Sequence, residues 1–228
     1  AIIRASEQVR EKAVKIAAHM LEASPSDIEY VDGQYRVKGV PSQSLTLGQI
    51  AKRAYTDELP DDLDPGLEAT DFFRPADFIY PFGTHVAVVE VDRETGEISL
   101  RDYYSVDDCG PRISPTLVEG QIHGGLAQGI GQALLEQVIY NEDGQPLSSS
   151  MMDYAMPRAD TFPEFTLGQT VTPTTLNPLG AKGIGEAATI GSTPAVVNAV
   201  MDALKPFGIQ HIDMPLTATK VWKALSES

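Results

Sequence analysis

The sequence predicts an α+β fold in which mixed sheets pack against helices. Three observations carry this. A β-branched run, HVAVVEVD, is followed by a turn at Gly96 and a second run, EISLRDYYSV. Two longer stretches, a glycine-rich one over 116–140 and another over 193–204, keep apolar residues at helical spacing. Strands and helices do not alternate strictly as βαβ units.

The 228 residues are enough for one large domain or two small ones with a sizeable core. A 42% hydrophobic content marks a globular chain. No apolar run approaches ~18 residues, so no transmembrane helix is expected, and no signal peptide is read. A net charge of −15 argues against binding nucleic acid or acidic membranes, both of which need a basic face. Cys109 is the only cysteine, which excludes an internal disulfide and fits a reducing compartment, so a cytoplasmic location is expected. Ala1 already lies inside a helical pattern without an N-cap, as expected of a fragment cut from something longer.

From the start, Ile2, Val9, Ala13, Ile16 and Met20 share one helical face, and Ser24-Pro25 ends that helix near Ala23. IEYVDGQYRV reads as a hairpin turning at Asp32-Gly33. Thr46 can cap a short helix over 47–59. The acidic, Pro/Gly-punctuated stretch 57–71 is a possible subdomain junction within the 1–228 fragment. The strand pair over 84–106 runs into a polar loop, DDCGPRISP, and then into the helix over 116–140. That helix carries Gly120, Gly124, Gly125, Gly129 and Gly131, each costing about 0.5–1 kcal/mol relative to Ala. Gly120, Gly124, Ala127 and Gly131 share a smooth face, which suits either close helix packing or a ligand on the backbone. Residues 148–165 read as an irregular, Met-rich wrapping loop, and FTLGQTV as a strand. In NPLGAKGIGEAATIGSTPAVVNAVMDAL, three glycines make a close-approach loop that Glu186 closes. Ser192 or Thr193 then caps a helix with Pro194 in its first turn. Residues 209–225 read as a short strand and a terminal helix with Val221, Trp222 and Leu225.

Metal ligation by side chains is not expected: His19, His85, His123 and His211 are scattered and lack HExxH spacing. No GxSxG elbow is present. Cys109 follows Asp107 and Asp108, whose charge disfavours a thiolate. GAKGIGE has neither phosphate-loop nor GxGxxG order. Three polar stretches remain: Asp107–Gly110, the Gln121 end of the glycine helix, and Lys182–Glu186. Each sits at an element terminus with free backbone N–H groups, and together they suit a large anionic cofactor plus one carboxylate base.

At this point a resemblance is specific. VDDCGPRISPTLVEGQIHGGLAQGIGQAL, MMDYAMPRADTFPEF and NPLGAKGIGEAATIGSTPAVVNAV together resemble the C-terminal, molybdopterin-binding part of the large subunit of molybdenum hydroxylases. This is the xanthine oxidase family, and the likeness within it is to the large chain of aerobic carbon monoxide dehydrogenases. The first helix fits the same chains, so the resemblance covers nearly the whole sequence. It implies that Glu186 is the glutamate beside molybdenum that serves as base, a role that needs a pKa near working pH. It implies that Gln121 hydrogen-bonds near the metal end. It places Asp108, Cys109, Lys182 and Gly183 along a molybdopterin cytosine dinucleotide shared with the upstream part of the large subunit. It further implies a medium subunit with FAD, a small subunit with 2Fe–2S clusters, and a dimer of such heterotrimers. The fragment alone is then expected to be inactive.

There are two departures, the first mild and the second bearing on substrate. Ser114 stands where the family pattern has Asn. The sequence also lacks a GQGxH-type segment and the loop whose cysteine carries copper in carbon monoxide dehydrogenases, and Cys109 is not that cysteine. Carbon monoxide, an aldehyde and an N-heterocycle all stay open as substrates. Two rivals stand beside the enzyme reading. One is a non-catalytic scaffold or assembly module on the same fold, against which the intact KGIGE speaks. The other is an unrelated α+β enzyme using its glycine loop for a phosphate ligand, which tight nucleotide binding without pterin would favour.

Overall fold

The computed structural model describes residues 1–56, 59–60 and 62–227. The chain divides into two compact units, Ala1–Pro75 and Ala76–Ser228. Positions 57, 58 and 61 of the expected junction lie outside the described residues.

The first unit holds helix α1 (Ile2–Met20), strands β1 (Ile28–Val31), β2 (Gln34–Val37) and β3 (Val40–Thr46), and helix α2 (Leu47–Thr56). The strands form an antiparallel sheet in the order β1-β2-β3. Asp32 (φ 51°) and Gly33 (φ 79°) make the turn between β1 and β2. Both central residues at positive φ match the twist of the flanking strands. Thr46 Oγ1 accepts from the Gln49 amide (3.3 Å), and Gln49 Oε1 accepts from the Thr46 amide (2.8 Å), so a reciprocal cap starts α2. Ala13, Ile16 and Ala17 of α1 close a core with Ile28, Tyr35, Ile50 and Ala54. Strand β3 escaped the sequence reading because it is mostly exposed and polar, so no alternation marks it.

The second unit holds β4 (Phe82–Val91), β5 (Ile98–Asp108), α3 (Pro115–Leu134), β6 (Phe165–Gln169), α4 (Ala187–Leu204) and α5 (Ala218–Ser226). The sheet order is β4-β5-β6, antiparallel between β4 and β5 and parallel between β5 and β6. Tyr103, Ile122, Leu126, Ile130, Val196, Val200 and Leu204 fill the core. At Gly96 (φ 73°) an added Cβ would stand 2.2 Å from the Ala218 carbonyl oxygen, so the β4–β5 turn can seat α5 only as glycine.

Four expectations need correction. Helix α3 stops at Leu134 rather than running to 140, because the Ala133 carbonyl, which the next turn would use, accepts from the Leu216 amide instead (2.7 Å). Asp107 and Asp108 are the last residues of β5, not loop. No strand forms over 209–213. Helix α4 begins at Ala187, so Pro194 lies inside it and neither Ser192 nor Thr193 is its N-cap. Proline removes one helical hydrogen bond. Here the carbonyl left over belongs to Ile190, which is exposed and can turn to water.

The glycines of α3 divide between open space and close packing. Gly120 and Gly124 face open space, whereas Gly125 and Gly129 carry the contact with α4. An added Cβ would lie 2.8 Å from Ala188 Cβ at Gly125 and 2.0 Å from Ser192 Oγ at Gly129. With the side chains gone, Thr189 and Thr193 donate their hydroxyls to the Gly125 (3.1 Å) and Gly129 (3.3 Å) carbonyl oxygens. Gly129→Ala is therefore expected to lower stability by about 1–3 kcal/mol through overpacking. Gly120→Ala should raise it by roughly 0.5–1 kcal/mol through helix propensity. Denaturant unfolding of the two variants checks the contrast.

Candidate functional site

The α3–α4 seam decides where two of the expected site residues stand. Gln121 lies one turn before Gly125, and Glu186 is the N-cap of α4, three residues before Thr189. The loop before Glu186 passes the Gln121 amide: an ideal Cβ on Gly185 would stand 3.5 Å from Gln121 Oε1. Gln121 and Glu186 are both exposed, and the Glu186 side chain makes no capping hydrogen bond. The N-terminal end of α4 favours an anion there. Gly120, Gly124 and Gly183 have nothing within 4 Å of an added Cβ.

Asp108, Cys109 and Lys182 are placed differently. Asp108 is fully buried, Cys109 is buried, and the Lys182 side chain is 7% exposed. Lys182 Nζ donates to Asp108 Oδ1 at 3.1 Å, and the Lys182 amide donates to the Cys109 carbonyl at 2.7 Å. Asp108 also accepts from the Gly110 amide (2.9 Å), the Thr170 hydroxyl (2.9 Å) and the Thr172 amide (3.0 Å). Burial pushes the Asp108 pKa up, but the donors of Gly110 and Thr172 and the Lys182 ammonium outweigh it and hold the carboxyl well below the usual range. The Lys182 ammonium also lies 4.4 Å from the Phe82 ring centroid. This clasp ties the end of β5 to the loop that carries Glu186. Gly110 and Gly180, both at positive φ, let the two strands of chain touch, since a Cβ on Gly110 would meet the Gly180 carbonyl oxygen at 2.3 Å.

Asp107 turns to the other side, into a buried polar network. His85 Nδ1 is 2.8 Å from the Tyr103 hydroxyl, and His85 Nε2 is 3.3 Å from Asp107 Oδ1 and 3.2 Å from Ser105 Oγ. Ser105 also donates to Asp107. Serine and aspartate meet the same imidazole nitrogen, so this is not a relay in which histidine bridges a nucleophile and an acid. Burial raises the Asp107 pKa, yet the hydrogen bonds of His85 and Ser105 and the charges of His85 and Arg112 leave it lowered. Burial, then the Asp107 charge, pushes Tyr103 up. Gly191 of α4 sits on the imidazole, where a Cβ would lie 2.6 Å from His85 Cε1. A cavity of about 400 Å³ opens beside this network, lined by Tyr80, Phe82, His85, Asp107 and Ile190. The sequence reading missed the network. Its signal was the register of period two, with His85 on the inward face of β4 and Tyr103, Ser105 and Asp107 alternating along β5.

Among the described residues, no group of three or more His, Cys, Asp and Glu side chains could hold a metal ion, and no helix is long and apolar enough to cross a membrane. Residues 1–163 match the model of the molybdopterin cofactor-binding domain. The chain belongs to that family. The likeness read from the motifs is thus borne out. This molybdopterin-binding chain is 44% identical over its whole length to the carbon monoxide dehydrogenase large chain of Hydrogenophaga pseudoflava, covering 28% of that protein. It is 40% identical over 97% of its length to the nicotine 6-hydroxylase large subunit of Paenarthrobacter nicotinovorans, covering 27% of it. Among solved structures, the Cu,Mo-CO dehydrogenase superposes with a TM-score of 0.90 at 39% identity, over 98% of this chain and 28% of that one. Quinoline 2-oxidoreductase from Pseudomonas putida 86 gives 0.89 at 39% identity, over 98% and 29%. The chain therefore spans just over a quarter of the length of the curated relatives it matches.

The residues present leave room for a cofactor. Open glycine backbone at Gly120, Gly124 and Gly183 leaves room for close approach, and the exposed Gln121 and Glu186 stand at its edge. Lys182→Met would strand the Asp108 charge in the interior and is expected to cost about 3–5 kcal/mol. The sign with pH follows from the depressed Asp108 pKa. Its contribution is fully present above the unfolded carboxylate value, about 4, and is lost as pH falls through the folded value. Unfolding curves between neutral and acid pH should show that loss in the parent and a smaller one in Lys182→Met.

Proposed function

We propose that this chain is the part of a molybdenum-dependent oxidoreductase large subunit, carbon monoxide dehydrogenase-like, that supplies the active-site base and one wall of the cofactor site. The observation that supports this most is that the loop leading into Glu186 passes the Gln121 amide at Gly185, beside open glycine backbone, on a chain of the molybdopterin-binding family. The cofactor, a molybdopterin cytosine dinucleotide with molybdenum, supplies the two-electron redox chemistry when bound. The rest falls to side chains and backbone. A carboxylate oxygen of Glu186 takes up the proton released from the attacking oxygen, and its exposure and lack of a capping bond leave it available for that. The Gln121 amide offers a hydrogen-bond donor and acceptor at the same edge. Gly183 lets the backbone come close to the cofactor. Asp108, Cys109 and Lys182 act from behind: the two charges neutralise each other and hold the loop that presents Gly183 and Glu186.

The remaining part of the large subunit completes the site. A medium subunit with FAD and a small subunit with 2Fe–2S clusters carry electrons away, in a cytoplasmic dimer of heterotrimers. The chain alone is inactive. Its substrate is carbon monoxide, an aldehyde or an N-heterocycle; quinoline and nicotine name the substrates of two relatives. In the complete enzyme, Glu186→Gln should lower turnover by about 10²–10⁴-fold, the usual worth of a positioned base, with molybdenum content retained. Near-parental turnover with full metal content would remove Glu186 from the role.

A further inference from the structure

The outward face of the second sheet carries an apolar patch. An antiparallel sheet with one solvated face alternates apolar-in and polar-out. Here Ala87, Val89 and Val91 of the inward row of β4 pack on the core, in line with His85. The opposite face, which also carries Thr84, Glu90 and Asp102, has an apolar patch at its centre. Val86 and Val88 of β4 and Tyr104 and Val106 of β5 are exposed by 40–51%. Val86 stands directly across from Tyr104. Val106 leans over Gly168 of β6, where a Cβ would lie 2.9 Å from its methyl, so the face stays flat across all three strands. Just before β4, Phe78 and Tyr80 are 80% and 73% exposed.

We infer that this face is an internal interface of the large subunit, covered by an apolar surface of the large-chain region that lies outside the matched quarter. The inference rests on the large-subunit reading. Two observations select this occupant. The matched relatives are more than three times longer than this chain, so most of such a subunit is available to cover it. The exposed area of the chain as a whole also leaves room for a large partner. Two independent compact globules of 1–75 and 76–228 would together expose roughly 12,000 Å². The chain exposes 14593 Å². The difference, on the order of 2,500 Å², exceeds the ~800 Å² that one partner buries in a standard interface. An exposed patch of two valines, a tyrosine and a third valine across neighbouring strands is the kind of surface that marks an interaction site.

Hydroxyl-radical footprinting read by mass spectrometry tests this on two samples, the isolated 1–228 chain and the complete large chain in its holoenzyme. Tyr103, fully buried, should be unlabelled in both and serves as the control for folding. Tyr104 should be labelled in 1–228 and protected several-fold in the large chain, including in large chain stripped of the flavin and iron–sulfur subunits. Equal labelling of Tyr104 in the two samples overturns the inference. So does protection already present in 1–228, which would mean a second copy covers the face. Protection that disappears when the other subunits are removed assigns the face to them and overturns it as well. Molybdenum is measured separately on the same holoenzyme. Protected Tyr104 without molybdenum would sink the functional reading alone, and molybdenum with unprotected Tyr104 would sink the interface alone.

Discussion

The seam between α3 and α4 is the constraint on which the site depends. Gly125 and Gly129 bring the two backbones so close that Thr189 and Thr193 reach across to their carbonyl oxygens. Each interior glycine costs about 0.5–1 kcal/mol of helix propensity. The offset is burial of Leu126, Ile130, Ala188 and Val196 together with two hydroxyl bonds that no larger residue would permit. Because the seam repeats every four residues on both helices, it fixes their relative register. Gln121 is one turn from its first contact, and Glu186 is the residue before α4 begins. Their proximity is a consequence of the packing.

The end of β5 does a second job. Consecutive aspartates on a strand point to opposite sides. Asp107 goes to His85 under Gly191 of α4, and Asp108 to Lys182 in the loop before α4. One strand terminus thereby holds both the helix and the segment leading into it. Both carboxylates are buried, and both are kept ionised by donors that outweigh burial. In a chain with a net charge of −15, a lysine whose side chain is almost wholly covered and paired to aspartate does little for solubility or for attracting an anion. Its effect is local: it sets the path of the loop on which Gly183 and Glu186 stand.

Much of this was legible in the sequence, for identifiable reasons. Asp32-Gly33 and Gly96 are turns whose chemistry is local, so the hairpins were readable. The strand over 165–169 and the terminal helix followed from periodicity. The start of α4 was not readable, because Ser192, Thr193 and Pro194 form a convincing helix start and only tertiary packing makes them interior. The five glycines of α3 were visible as an anomaly. Which pair makes the contact depends on the partner helix, and the sequence of one helix does not say. The likeness to molybdenum hydroxylases was legible because motifs are local. The split of the site residues into an exposed pair, Gln121 and Glu186, and a buried clasp, Asp108 and Lys182, was not, since burial is settled by chain segments more than sixty residues apart.

The central proposal is geometric: the metal end of a bound cofactor is expected beside Gln121 and Glu186. Anomalous diffraction at the molybdenum edge, from crystals of the complete holoenzyme, locates that atom directly. The account predicts a single peak per large chain within reach of both side chains, in front of the open backbone of Gly183 and Gly124. A peak on another face of this domain, with Glu186 pointing to solvent, would contradict it.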